Sequence, residues 1–217
     1  MKIDLHVHTS EISACGMLSA EDTVRLYAEA GYDAIVITNH FAAYNKERFE
    51  RAGLDFFSEY MKGYELARSA GERYGITVLC GFELRFNRNE NDYLVYGMDE
   101  QTASDCSSIF AMGPREFSAL AREKDFLFYQ AHPFRNNMTV VYPGYLFGIE
   151  IKNGNPRHDS RNDIAAMWAE KYGLHGIAGS DCHQTEDVGA SGIITGAAVR
   201  NINDLVAVLK SSDYTII

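Results

Sequence analysis

Short apolar, β-branched runs alternate with stretches of helical periodicity along the whole chain, and that alternation confines it to the α/β class. Ile3 to His8 alternates like a strand. Ser19 reads as a helix N-cap, with Asp22 three positions on, Val24, Leu26, Tyr27 and Ala30 behind it, and Gly31 closing the helix. Ala34-Ile35-Val36-Ile37-Thr38 is the type of run found in buried parallel strands. A polar loop is expected next, then a helix over 57–74 stopped by Gly75, and strands over 76–84 and 93–96. Pro114 opens a helix to Lys124; strands are expected over 126–129 and 146–151, a helix over 160–172 and a strand over 175–180. A strand-like stretch over 192–199 and a short helix over 203–209 complete the pattern. Six or seven such units predict either a closed barrel or an open doubly wound sheet. With no repeat, linker or biased segment among 217 residues, one domain over 1–217 is expected.

Composition narrows the partners. Twenty Lys+Arg against thirty Asp+Glu give a net charge of −10, which repels phosphate backbones and argues against general nucleic-acid binding. Three bound divalent ions would bring that charge much nearer neutral. No apolar run approaches the ~20 residues of a membrane span. Asp4 and two histidines stand where a secretory signal would be apolar, so a cytoplasmic protein is expected. Cys15, Cys80, Cys106 and Cys182 are scattered with no Cys-x-x-Cys pair, as suits reduced thiols. The sequence does not fix an oligomeric state.

The chemistry gathers at strand ends. His6 and His8 alternate with Asp4 and leave the first strand on one face. His40 ends the second strand, Glu83 the third, and His132 directly follows the apolar run 126–129. Asp181 and His183 again share a face after Ser180, and Glu150 and Lys152 close another strand. An isolated His-x-His is most simply a surface pair. Five histidines and two carboxylates on five strand ends are not, because in a parallel α/β fold those ends converge on one rim. Mixed imidazole and carboxylate donors suit zinc, manganese or iron, and Glu83 is able to bridge two ions. Cys182 and the tyrosines between Tyr60 and Tyr74 read as core packing.

The segments Asp4-Leu5-His6-Val7-His8-Thr9, Ile37-Thr38-Asn39-His40, Gly81-Phe82-Glu83, Ala131-His132-Pro133 and Gly179-Ser180-Asp181-Cys182-His183 resemble the motif set of the PHP (polymerase and histidinol phosphatase) family, in its order. The resemblance implies a distorted (β/α)7 barrel with two to three divalent ions and phosphoesterase activity. It implies that His6, His8, Glu83 and Asp181 hold one ion, that Glu83 and His132 hold a second, and that His40 and His183 hold a third. Three departures stand out. Asn39 replaces the acid of a usual Thr-Asp-His. Cys15-Gly16 replaces an Asp-Gly whose acid serves the third ion, leaving Glu11 as the favoured carboxylate there and the Cys15 thiolate as its rival. Asn91-Asp92-Tyr93 stands where a further histidine is common, so Asp92 is a substitute or the second ion is weak.

Arg135, three residues after His132, suits bidentate contact with phosphate oxygens and is the expected catalytic side chain. Asn155, Arg157 and His158, in a turn after a strand, are expected to face substrate. The function expected is hydrolysis of a small phosphate ester by metal-activated water. Two alternatives remain: a C–N hydrolase of amidohydrolase type, for which Lys152 is the sole strand-end candidate for a metal-bridging lysine, and a non-catalytic metal-binding regulatory module.

Overall fold

The computed structural model describes residues 1–217. In chain order the elements are β1 (Lys2–Val7), α1 (Ala20–Glu29), β2 (Ala34–Ile37), β3 (His40–Ala42), α2 (Ala43–Arg51), α3 (Phe56–Tyr74), β4 (Thr77–Arg85) and β5 (Tyr93–Tyr96). They continue with α4 (Glu100–Ser104), α5 (Cys106–Ala111), α6 (Pro114–Lys124), β6 (Leu127–Gln130), β7 (Gly148–Asn153), α7 (Asn162–Tyr172), β8 (His175–Gly179), β9 (Ile193–Ile194), α8 (Ile202–Ser211) and β10 (Thr215–Ile216). Local signals explain the clearest boundaries. Ser19 accepts the Asp22 N–H at the start of α1, Asp55 accepts the Ser58 N–H at the start of α3, and Gly75 ends α3 at φ 74°.

The sheet runs β1-β2-β4-β5-β6-β7-β8 and curls until its ends meet. Beyond β8, Val7 bridges Cys182 in parallel, with His8 N–H donating to the Cys182 carbonyl at 3.0 Å and Cys182 N–H to the His6 carbonyl at 3.2 Å. The result is a nearly closed seven-stranded barrel. The lower half of that edge of β1 is taken by β9, antiparallel, with β10 outside it. Close approach of β1 and β8 requires Gly179, where a Cβ would lie 2.4 Å from the His6 Cβ.

Alternation sorts the strands. Leu5, Val36, Leu79, Leu94, Tyr96, Tyr129 and Ile177 point inward and pack one core, closed below by Leu205, Val208 and Leu209 of α8. The outward positions pack against the helices in two further cores, one rich in aromatic rings. No helix is long and apolar enough to cross a membrane.

Several expectations are corrected. The stretch expected as a polar loop after Thr38 holds β3 and α2; α2 carries charge on most faces and has no side-chain N-cap, so neither periodicity nor capping announces it. The strand expected over 192–199 shrinks to Ile193–Ile194. Two short helices, α4 and α5, occupy 100–111. β5 runs antiparallel to both β4 and β6, which places its start, and so Asp92, at the rim where the other strands end.

Candidate metal centre

Above the apolar filling the mouth of the barrel turns polar, and β1 changes register between Asp4 and Val7. His6, His8, Glu83, His132 and Asp181 are all buried there, with His40 and His183 partly exposed beside them. Glu83 sits at the middle. Its Oε1 lies 3.2 Å from both His6 Nε2 and His132 Nε2, and its Oε2 lies 3.4 Å from His8 Nε2 and 2.5 Å from His40 Nδ1. Asp181 Oδ1 is 3.4 Å from His6 Nε2 and 3.5 Å from His8 Nε2. The His8 ring stacks on His183 with centroids 4.3 Å apart. Three sets of donor atoms, His6–His8–Asp181, His6–Glu83–His132 and His8–His40–His183, are each close enough to hold an ion.

Hydrogen bonds orient these rings. Glu150 Oε1 lies 3.0 Å from His6 Nδ1, which makes Nδ1 the protonated nitrogen and turns the Nε2 lone pair into the cluster. Ser13 Oγ donates to Asn39 Oδ1 at 2.8 Å and accepts from His8 Nδ1 at 3.0 Å, so His8 also presents a bare Nε2. Those two Nε2 atoms are 3.1 Å apart, facing carboxylate oxygens. Lone pairs converging at such distances repel unless a cation lies among them. Donors around one zinc-sized ion sit about 3.3 Å apart when bonds are about 2.05 Å long. The residues therefore fit divalent ions. Without an ion, protons supply the charge. Burial opposes it, yet Asp181, Glu150 and Glu83 hold His6 well above the ordinary imidazole value, and Glu83 with the Cys15 thiol does the same to His40. Burial would raise Glu83 and Asp181, but His40 and His6 hold the former, and His6 and His8 the latter, well below the carboxylate range.

Two residues at the rim have left-handed backbones, His132 at φ 27° and Asp181 at φ 53°. Such conformations cost on the order of 1–3 kcal/mol each and persist only where surroundings impose them. Glu150 Oε2 accepts the His132 N–H at 2.9 Å, and Asn155 Nδ2 donates to the Asp181 carbonyl at 3.0 Å.

A cavity of about 320 Å³ opens over the cluster, lined by Cys15, His40, Glu83, Arg85, Asp92, His132, Arg135, Met138, Asn155, Arg157, His158, Asp181 and His183. Arg135 Nη2 contacts Asp181 Oδ2 at 2.7 Å and Asn153 Oδ1 at 3.0 Å, while its Nε is buried without a partner. Arg157 is paired on both nitrogens with the buried Asp187, and His158 is exposed at the mouth. Asn155 lines the cavity, but its amide is used within the protein, on the Asp181 carbonyl and the Arg157 N–H, so it shapes the wall more than it offers a free group.

Glu11 is the expected ligand that the structure directs elsewhere. Both its oxygens accept the Ala20 N–H, at 2.9 and 3.1 Å, at the positive end of α1. Cys15 instead reaches the cluster, with Sγ 3.2 Å from His40 Nε2. Asp92 approaches His132 Nε2 only to 3.9 Å and is gripped by Arg85 at 2.7 and 2.6 Å. Sequence context places Glu150 at a strand end without giving it a role, and gives none to Arg85 or Asp187. Arg85 and Glu150 carried the signal of a charged side chain at an apolar strand's end; Asp187 lies in a short turn with none.

The site is thus a buried histidine–carboxylate cluster at the rim of a nearly closed seven-stranded β/α barrel. Residues 159–214 match the PHP-associated family (PHP_C). No curated protein matches it significantly. Among solved structures it resembles a two-domain protein of Bacteroides vulgatus, described as containing a predicted PHP-like metal-dependent phosphoesterase, at 20% identity and TM-score 0.67. All of this chain is covered, but only 64% of that one, so the chain spans somewhat less than two thirds of that relative. It also resembles a Chromobacterium violaceum amidohydrolase with bound sulfate (16% identity, TM-score 0.57, 100% of this chain and 98% of that one). A third is the lesion-specific endonuclease EndoQ of Pyrococcus furiosus (14% identity, TM-score 0.60, 99% of this chain and 57% of that one). At these identities the likeness is one of fold, and the three differ in what they are named for.

Proposed function

We propose that the chain is a metal-dependent phosphoesterase acting on a small phosphate ester, with two to three Zn, Mn or Fe ions. What carries this reading is the donor set: five histidines with Glu83 and Asp181 converge beneath one cavity, whose wall also holds Arg135. A cavity of about 320 Å³ suits a small ester.

In this reading His6, His8, Glu83 and Asp181 hold one ion, Glu83 and His132 a second, and His40 and His183 a third. Such ions supply Lewis acidity and lower the pKa of water towards neutrality. The chain's own groups do the rest. Arg135, on the cavity wall, is the group for phosphate oxygens, and His158, exposed at the mouth, faces the substrate. Glu150 keeps the His6 lone pair aimed inward. Lys152, the candidate for a bridging lysine, does not line the cavity, which disfavours the C–N hydrolase reading. The test is hydrolysis of an aryl phosphate, an aryl amide and a lesion-bearing oligonucleotide by metal-loaded protein. Turnover of the phosphate alone, abolished by His6→Ala, is expected; turnover of only the amide or the oligonucleotide would overturn the assignment.

A further inference from the structure

The loop 9–18 carries a thiol into the cluster beside His40. Cys15 lines the cavity, exposed to solvent, with Sγ 3.2 Å from His40 Nε2. The His40 ring faces it directly, and the His183 ring stands beside His40 with centroids 6.0 Å apart. His40 Nδ1 is engaged by Glu83 at 2.5 Å, and His183 Nδ1 by the Asp181 carbonyl at 2.8 Å, which leaves the Nε2 of each ring as the free lone pair. A single S–H proton satisfies one of two such nitrogens. The loop is held in register with its partners: Met17 N–H donates to the His183 carbonyl at 2.7 Å, and Gly16 N–H to the Ser13 carbonyl at 2.8 Å. A Cβ on Gly16 would lie 3.0 Å from the Thr9 carbonyl carbon, so the turn that presents Cys15 is tightly packed.

We propose that Cys15, His40 and His183 form a Cys-His₂ metal position, open to the cavity on its fourth side, that selects zinc-like ions over manganese or magnesium. This rests on the metal-binding part of the proposed function and deepens it. A thiolate with two imidazoles is a soft donor set suited to Zn²⁺, Co²⁺ or Fe²⁺, whereas the carboxylate-rich inner positions discriminate less. As the sulfur–metal bond forms, the thiol proton leaves to solvent, so loading releases one proton per thiol. Solvent access gives the ion an entry path. Cys80, Cys106 and Cys182, by contrast, do not line this cavity.

The test is a Co²⁺ titration of metal-free protein, read by the near-ultraviolet sulfur-to-cobalt charge-transfer band and by equilibrium dialysis. Wild type should develop the band and Cys80→Ser should keep it. Cys15→Ser should lose the band and one equivalent of cobalt, while the inner equivalent, removable by His6→Ala, remains. Cys15→Asp should regain the equivalent without the band and bind Mn²⁺ there at least tenfold more tightly than wild type. Zn²⁺ should protect Cys15 from alkylation by iodoacetamide in wild type. Cobalt bound by wild type with no charge-transfer band, or a band that survives in Cys15→Ser, would overturn the thiolate position and leave the inner centre intact. No cobalt bound at all would overturn the metal-binding reading and this inference with it.

Discussion

Arg135 Nη2 lies 2.7 Å from Asp181 Oδ2, and the other oxygen of the same carboxylate faces His6 and His8. The guanidinium expected to grip phosphate is thus also tied to an expected ligand, and its loss should be felt in two places.

Arg135→Ala should lower kcat/KM on a phosphomonoester by roughly 30- to 1000-fold, the effect of about 2–4 kcal/mol of lost charge-assisted contact. It should also weaken metal retention moderately, because Asp181 loses the charge that holds it. Arg135→Lys should restore retention more than rate, since an ammonium cannot reproduce the planar fork. Steady-state kinetics with metals quantified in each variant separate the two effects; a near wild-type rate in the alanine variant would contradict the role.

Glu150 acts on two ligands at once, through His6 Nδ1 at 3.0 Å and the His132 N–H at 2.9 Å. Glu150→Ala should weaken metal binding by about 10- to 100-fold, the usual cost of removing a partner behind a ligand. Competition against a chelator measures it. An unchanged dissociation constant would show that ring orientation is set elsewhere.

Glu11→Ala separates a capping role from ligation. Its carboxylate caps the start of α1, so the variant should lose about 0.5–2 kcal/mol of stability in urea unfolding. Metal content should not change. A lost equivalent of metal with unaltered stability would return Glu11 to the centre.

The pH dependence of metal protection follows from the shifted groups. In the metal-free protein Glu83 is depressed, so its contribution is present above the unfolded carboxyl value and is lost as pH falls through its lower folded one. His6 and His40 are raised, so theirs is fully present below the unfolded imidazole value of about 6.5 and is lost as pH rises through the folded value. Metal ions need the same rings neutral. The gain in Tm on adding Zn²⁺ should therefore be small at pH 5 and larger at pH 8. A gain that shrinks as pH rises would contradict the shared use of these rings by protons and ions.

The strand ends were legible because burial and chemistry leave opposite marks on one short segment. In Cys80-Gly81-Phe82-Glu83 an apolar run stops at a charge, and that break marks the rim. Strand direction leaves no such mark: Tyr93–Tyr96 alternates identically whether parallel or antiparallel, so the position of Asp92 at the rim emerges only from the register with β4 and β6. The choice between Glu11 and Cys15 depended on how a ten-residue loop turns. Its course is set by long-range bonds such as Met17 to His183, which no local pattern encodes. His175 starts β8, at the end of the strand away from the rim, and stacks on Phe147 with centroids 4.2 Å apart.

Elemental analysis of reconstituted protein, paired with aryl phosphate hydrolysis by the same sample, tests the central claim most directly. Wild type should carry two to three equivalents of Zn, Mn or Fe and release phosphate. Glu83→Ala, which removes the carboxylate shared between the His6–His132 and His8–His40 sides, should lose both metal and activity, while His175→Ala keeps them. One equivalent or less in wild type, or phosphate release unaffected by Glu83→Ala, would contradict a polynuclear phosphoesterase centre at this rim.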